Sequence, residues 1–346
     1  MSEPTPVPQE GEERTVISLP EDFRIERLFD DDKVGSLIAM AFNEFGHIVA
    51  SRENGPLLLI YDTDDDGVLD GVRTYCDQVR NCQGILPLNG DVYVTGDGPD
   101  GVALYRLSDV NRDGRLEKIR AIVKFSGTQG EHGVHGLRLG PDGMIYIVVG
   151  NHTQAVDVDE EMSPHQHVYE GDLVPRFEDP GGHAVGIKAP AGTVLRTDTE
   201  GQTIERVAGG LRNPYDLTFD RYGSLFVHDS DMESDLGAPW YAPTRMFQIV
   251  EGGEYGWRSG WAKWPEYYID RLPTTLTTGR GSPTGAVTYD HFQFPKRYHN
   301  AIFLADWSEG RIISVKLRRD GAGYKATSED FITGQPLNIT DLDIGP

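Results

Sequence analysis

Apolar residues recur along this chain in short alternating or continuous runs, each closed by a turn rich in Gly, Pro, Asn or Asp. The clearest unit is residues 131–151, EHGVHGLRLGPDGMIYIVVGN. Leu137 and Leu139 alternate with polar or small neighbours, as in a half-buried strand. Gly140-Pro141-Asp142-Gly143 reads as a turn, with Pro fixing φ and Gly supplying φ > 0. Residues 144–149 are then an apolar run of strand length, rich in Ile, Val and Tyr. The pattern predicts a β-hairpin whose open end sets His132 and His135 near Asn151 and His152.

The unit repeats. SLIAMAFNEFGHIVASREN turns at Gly46, GILPLNGDVYVTGDG at Gly90, and LRNPYDLTFDRYGSLFVHDSD at Gly223. TGAVTYDHFQFPKRYHNAIFLADW has a longer turn ending at Asn300, and LNITDLDIGP stops after its first strand. Between these units lie further strand candidates such as PLLLIYDTD, VALYRLSD, GTVLRTDTEG, TRMFQIVEGG and GRIISVKLRRDG. A hairpin-plus-hairpin unit cannot bury both its faces alone, whereas radial stacking of several does so. The expectation is therefore an all-β, six-bladed β-propeller whose last blade is truncated at Pro346. Residues 24–29 are expected to supply an outer strand that closes the ring. Residues 20–346 form the one domain, with long loops at 154–191 and 233–281, and residues 1–19 form a disordered, Pro- and Glu-rich segment. The second loop, rich in Trp and Tyr, is expected to lie over one face as a lid or wall.

Composition narrows the partners. With 32 Lys and Arg against 55 Asp and Glu, the formal net charge is −23. That disfavours nucleic acid and anionic membrane surfaces. There is no run of 18 apolar residues, hence no transmembrane segment is expected, and no signal peptide follows Met1. Cys76 and Cys82 fit neither a CxxC nor a CxxCH pattern, and their spacing leaves open whether they are thiols or a disulfide.

Aligning the repeats places chemistry at one end of the ring. His132 lies eleven residues before Gly143 and Arg212 eleven before Gly223, so both sit where an innermost strand begins, at the channel mouth. Asn213 follows Arg212. The second strands end at the same mouth with Glu53, Asp97, Asn151, Asp229, Asp231 and the pair Asp306 and Trp307. Converging titratable groups of this kind mark a candidate active site, though every propeller has polar rims. His132 is a candidate general base and Arg212 a candidate partner for an anion or oxyanion. Its alternative is a salt bridge to a neighbouring blade. His135 follows at i+3 and faces the other way in a strand, as a structural neighbour.

Two acidic loops have calcium-loop spacing. Asp62, Asp64, Asp66 and Asp70 hold positions 1, 3, 5 and 9 around Gly67, and Asp109, Asn111, Asp113 and Glu117 repeat this around Gly114. Neither has the bidentate Glu of position 12, so solvated acidic turns remain the alternative. A denser cluster, HDSDMESD, offers Asp229, Asp231 and Glu233 to a cation on the channel face, with capping of loop backbone groups as the alternative.

Several motifs taken together resemble the soluble quinoprotein glucose/sorbosone dehydrogenase family. They are LRNPYDL, GEYGW after an acidic loop, and H-x-x-x-G-L-x-L-G-P-D-G-x-I-Y from His132. DMESDLGAPWYAPTR, GWRSGWAKWPEYY, GGHAVGIKAPAGTVLR and NCQGILPL are similar to its bacterial branch of membrane-bound-dehydrogenase-type propellers. The resemblance runs over about residues 20–346. It implies calcium-bound pyrroloquinoline quinone on the channel face, with His132 as the base in sugar or polyol oxidation. Arg212 and Asn213 match the Arg-Asn pair beside the quinone, with Asp306 and Trp307 as further cofactor contacts. Asp231-Met232 departs from the family's Gly-Pro carbonyls, so Asp229, Asp231 or Glu233 stand in as calcium ligands. The family's basic residues that hold the quinone carboxylates have no match here. The resemblance also implies a periplasmic or extracellular location and a c-type cytochrome as electron acceptor. Two other readings stay open. One is a calcium-stabilised module binding carbohydrate or protein through Trp240, Trp257, Trp261 and Trp264. The other is a metal-dependent lactonase or hydrolase.

Overall fold

The structure, a computed structural model, describes residues 5–6, 15–127, 129–166, 176–233, 235 and 241–346. The sheets follow one another along the chain as propeller blades. The first holds Leu37–Phe42, Ile48–Arg52, Leu57–Tyr61 and Gly71–Cys76 in antiparallel order. The second holds Arg80–Leu88, Asp91–Gly98, Gly101–Ser108 and Lys118–Ser126. The third is Val134–Leu139, Ile145–Val149, Gly192–Thr197 and Ile204–Leu211. The fourth is Pro214–Phe219, Leu225–Asp229, Thr244–Ile249 and Leu276–Gly279. The fifth is Pro283–Thr288, Ile302–Asp306, Arg311–Asp320 and Gly323–Gln335.

The hairpin turns fall where the repeat put them. Gly46, Gly90, Gly143 and Gly223 have φ of 78°, 84°, 81° and 81°, and Asn300 takes the equivalent place at 60°. The apolar faces meet between blades rather than within them. Val49, Leu59 and Val79 pack with Val94 and Tyr105 between blades one and two, and Leu104, Val123, Leu137 and Ile147 between two and three. Val148, Leu211, Leu217 and Phe247 fill the next gap, and Phe226, Met246, Ile302 and Leu304 the one after it.

The propeller has five blades, which corrects the expectation of six. Residues 337–346 give one extended segment, and a lone strand has no second strand to pair with. The segment instead runs from the fifth blade to the first, held by side chains. Thr284 Oγ1 donates to the carbonyl of Ile339 at 2.7 Å. Asp341 and Asp343 accept the Met40 and Phe42 N–H groups, each at 2.8 Å. Leu342 and Ile344 join the aromatic cluster of Tyr289, Phe303 and Phe331.

The closing outer strand is also reassigned. Residues 24–29 are not a strand, and Arg24 pairs locally with Glu26. Val16–Ser18, inside the segment expected to be disordered, pairs antiparallel with the edge of the fifth blade, Val16 opposite Gln335. Its β-branched Val16 and Ile17 suit an edge strand. Cys76 and Cys82 are separate buried thiols, and burial pushes both up from their usual pKa. Among the described residues no helix is long and apolar enough to cross a membrane.

Candidate active site

Three consecutive turns of chain build the core of the mouth. His132 precedes Val134–Leu139, Asn151 follows Ile145–Val149, and Arg212-Asn213 bridges the third blade to the fourth. The Asn151 N–H donates to the carbonyl of Arg212 at 2.9 Å, which ties the hairpin's open end to that bridge. Gly150 allows the approach. A Cβ there would sit 2.6 Å from the His132 carbonyl carbon and oxygen and would strike the Asn213 amide oxygen.

His132 is buried, at 2% exposure. Its Nδ1–H donates to Asn151 Oδ1, which leaves the Nε2 lone pair facing the cavity. Arg212 approaches that nitrogen with Nη1 at 3.4 Å. Burial, and then the Arg212 charge, push the His132 pKa down to about 3 against the opposing pull of Asn151, so the imidazole is neutral near pH 7. His135 has the expected supporting role. It is fully buried, stacks on Tyr215 at 4.7 Å, and its Nε2 meets Asn213 Oδ1 at 2.8 Å. That contact orients Asn213, whose Nδ2 donates to the Glu131 carbonyl.

Arg212 meets His132 as the repeat register predicts, and a carboxylate from outside that register fixes it. Asp235 accepts Arg212 Nε at 3.1 Å, Trp257 Nε1 at 2.9 Å, and pairs with Lys263 at 3.3 Å. Burial alone would raise the Asp235 pKa, but Arg212 and Lys263 hold it below the usual carboxylate value. No spacing rule links Asp235 to Arg212; the contact is made only through space.

The candidate cation ligands separate into two kinds. Asp229 is 1% exposed, and its oxygens accept the N–H groups of Arg212 at 3.1 Å and Asn213 at 2.8 Å. It is a bracket between strands and does not line the cavity. Asp306 repeats that role one blade on, accepting Ser282 N–H at 2.9 Å and Arg311 Nε at 3.1 Å. Asp231, Glu233 and Trp307 do face the cavity, with Glu53, Glu131, His183 and Thr284 on its other walls. Its volume is about 550 Å³.

On the outer loops, Asp62, Asp64 and Asp66 bring carboxylate oxygens within 4.8 Å of one another. Asp70 is held by Thr63, at 2.8 and 2.9 Å. In the second loop Asp109, Asn111 and Asp113 accept backbone N–H groups, and Glu117 takes those of Val110 and Asn111. The two loops share a backbone shape, with Asp65 and Arg112 at φ 61° and 62° and Gly67 and Gly114 at 89° and 83°.

The tryptophans are not one binding surface. Trp257 and Trp264 are buried at 1% and 3%, Trp261 is 59% exposed, and Trp240 lies outside the described residues. Trp257, from the second long loop, joins a buried cluster with Ala184, Ala191 and Met232 and donates to Asp235.

A family described as "Domain of unknown function (DUF7133)" matches residues 9–341. The chain belongs to that family. No curated protein matches it. Among solved structures, this DUF7133 member is similar to an oxidoreductase described as a glucose dehydrogenase from Thermus thermophilus. The TM-score is 0.64 at 17% identity, over 90% of this chain and 88% of that one. The PQQ-bound form of aldose sugar dehydrogenase from Streptomyces coelicolor gives 0.61 at 13% identity, over 94% and 88%. The holo pyranose dehydrogenase PQQ domain from Coprinopsis cinerea gives 0.62 at 12%, over 95% and 88%. At such identities the likeness concerns the fold that the DUF7133 chain adopts.

Proposed function

We propose that this DUF7133 chain is an oxidoreductase that oxidises a hydroxyl of a sugar or polyol in the mouth cavity. Calcium-bound pyrroloquinoline quinone, when present, supplies the two-electron acceptor that the chain itself lacks. The observation that carries this reading is a neutral, buried His132 with Nε2 facing a cavity of about 550 Å³ that Arg212, Asp231 and Glu233 also line. The sugar dehydrogenases named above share the fold and support it.

The walls fit such a cofactor on one condition. Asp231 and Glu233 are hard oxygen donors suited to calcium. Arg212 is the single guanidinium or ammonium among the described lining residues, against the carboxylates of Glu53, Glu131, Asp231 and Glu233. A tricarboxylate quinone therefore needs calcium on Asp231 and Glu233 before the wall accepts it.

His132 Nε2 takes the proton of the substrate hydroxyl as the carbon gives up its hydride, and the C–O bond becomes a carbonyl. Asn151 keeps Nδ1 protonated and the ring in place. Asp235 keeps Arg212 aimed at the mouth. Trp307, 46% exposed, offers a flat apolar face to a sugar ring, and Glu53 and Thr284 accept hydroxyl hydrogens. Electrons leave to an external acceptor, for which a c-type cytochrome is our proposal.

The test is dye reduction over a panel of sugars and polyols by protein reconstituted with calcium and the quinone. Wild type is expected to turn over at least one of them. His132→Ala is expected to keep the quinone but lose about 10²–10⁴-fold in rate. Bound quinone without turnover on any hydroxyl substrate would overturn the proposal.

A further inference from the structure

We propose that His132, His152 and His183 form a binding site for a divalent transition-metal ion of the zinc or copper class at the cavity mouth. The three come from separate places: the start of the third blade's first strand, the turn after its second strand, and the long loop that follows. One ring nitrogen from each lies within 4.8 Å of the others. The ring centroids are 4.5 Å apart for His132 and His152, 4.7 Å for His132 and His183, and 5.4 Å for His152 and His183. Among the described residues no other set of histidines converges in this way.

The chemistry of the three donors selects the ion. Imidazoles suit zinc, copper and nickel, whereas calcium and magnesium take oxygen ligands. This site is therefore distinct from Asp231 and Glu233. His132 is its fixed member, since its Nδ1–H is spent on Asn151 and only Nε2 is free to ligate. Donation of the second ring N–H to an oxygen is the usual support for a metal-binding imidazole. Zinc–nitrogen bonds of about 2.0–2.1 Å put tetrahedral ligands about 3.3 Å apart, so the rings must close by at most about 1.5 Å. His152 and His183 are exposed, and the closure falls to them. The nearby cation is offset. Arg212 lies 3.4 Å from His132 Nε2 and from His183 Nδ1, but it is paired with Asp235 at 3.1 Å. The Glu131 carboxylate, 3.9 Å from His183 Nε2, adds negative charge on the open side.

A consequence rests on the proposed function. His132 Nε2 cannot hold a metal and take a substrate proton at once, so an ion here switches the base off.

The experiment strips the protein with a chelator and titrates it with Cu²⁺, read by electron paramagnetic resonance, and with Zn²⁺ against a colorimetric chelator. One equivalent per chain is expected, with hyperfine structure from imidazole nitrogens. His152→Ala and His183→Ala, at exposed positions, are expected to weaken it at least tenfold, and Asp64→Asn on the outer loop to leave it unchanged. No uptake by the folded wild type, or undiminished uptake by both histidine variants, would overturn the site. In the reconstituted enzyme, one equivalent of Zn²⁺ is expected to abolish dye reduction and a chelator to restore it. Metal bound with turnover intact would overturn the switch. The titration is readable whether or not the protein oxidises sugars, so failure of the site and failure of the proposed function are separable.

Discussion

At the scale of single residues, the mouth depends on a buried carboxylate, Asp235, shared by Arg212 and Lys263. Arg212 and Asp235 have side chains 5% and 0% exposed, so neither charge has water to fall back on. Asp235→Asn keeps the shape but leaves Arg212 uncompensated beside His132. We expect a loss of about 3–5 kcal/mol in denaturant unfolding, and a fall in turnover as Arg212 loses its anchor. Sequence reading reached half of this arrangement. His132 and Arg212 were legible because a repeat turns distance along the chain into position around the ring. Asp235 was not, because its stretch of sequence follows no repeat and it meets Arg212 only through space. His183 was hidden for the same reason: it sits in an aperiodic loop and reaches His132 only through space. Asp229, read as a cation ligand or a backbone cap, and Asp306, read as a cofactor contact, both turn to backbone N–H groups of the neighbouring strand. An acidic residue at a strand end reads alike in each of these roles.

At the scale of elements, glycine has two separate uses that substitution tells apart. Gly143 sits at φ 81° in an open turn, where a Cβ would touch nothing. Gly143→Ala should therefore cost only the backbone term, about 1–2 kcal/mol, and leave the site unchanged. Gly150 lies where the His132 backbone and Asn213 close on the strand end. Gly150→Ala must move one of them, so it should lower activity as well as stability. Thermal unfolding and turnover, measured on both variants, separate the two effects. The turn glycines were readable because a hairpin turn needs φ > 0 and few residues supply it. The tryptophans were not, since an aromatic-rich loop reads alike whether it covers a pocket or fills a core.

At the scale of the whole molecule, ring closure is carried by side chains. The segment 337–346 clips onto the first blade through Asp341 and Asp343, with Arg138 between Asp343 at 3.6 Å and Asp216 at 3.7 Å. Burial, and then the nearby Asp216 charge, push Asp341 up to about 8 from 3.8. A carboxyl raised on folding contributes stability that is complete below its unfolded value and is lost as pH rises through its folded one. The clip should therefore weaken between about pH 4 and pH 8. Asp341→Asn keeps an oxygen for the Met40 N–H and carries no charge. It should flatten the fall in unfolding midpoint across that window and raise the midpoint at pH 9. The repeat showed that a sixth unit begins in this segment. It did not show that the segment would act as a clip instead of a blade, because that depends on two aspartates finding backbone donors on a strand 301 residues away. The cavity at the mouth of this ring makes a sharp demand through its charge. Under the proposed function, calcium on Asp231 and Glu233 is expected to precede a tricarboxylate quinone. The most direct measurement is the quinone absorbance that stays with the protein through gel filtration, in calcium and in chelator. The account predicts one quinone per chain with calcium and none with chelator. Equal retention in both, or none in either, would contradict it.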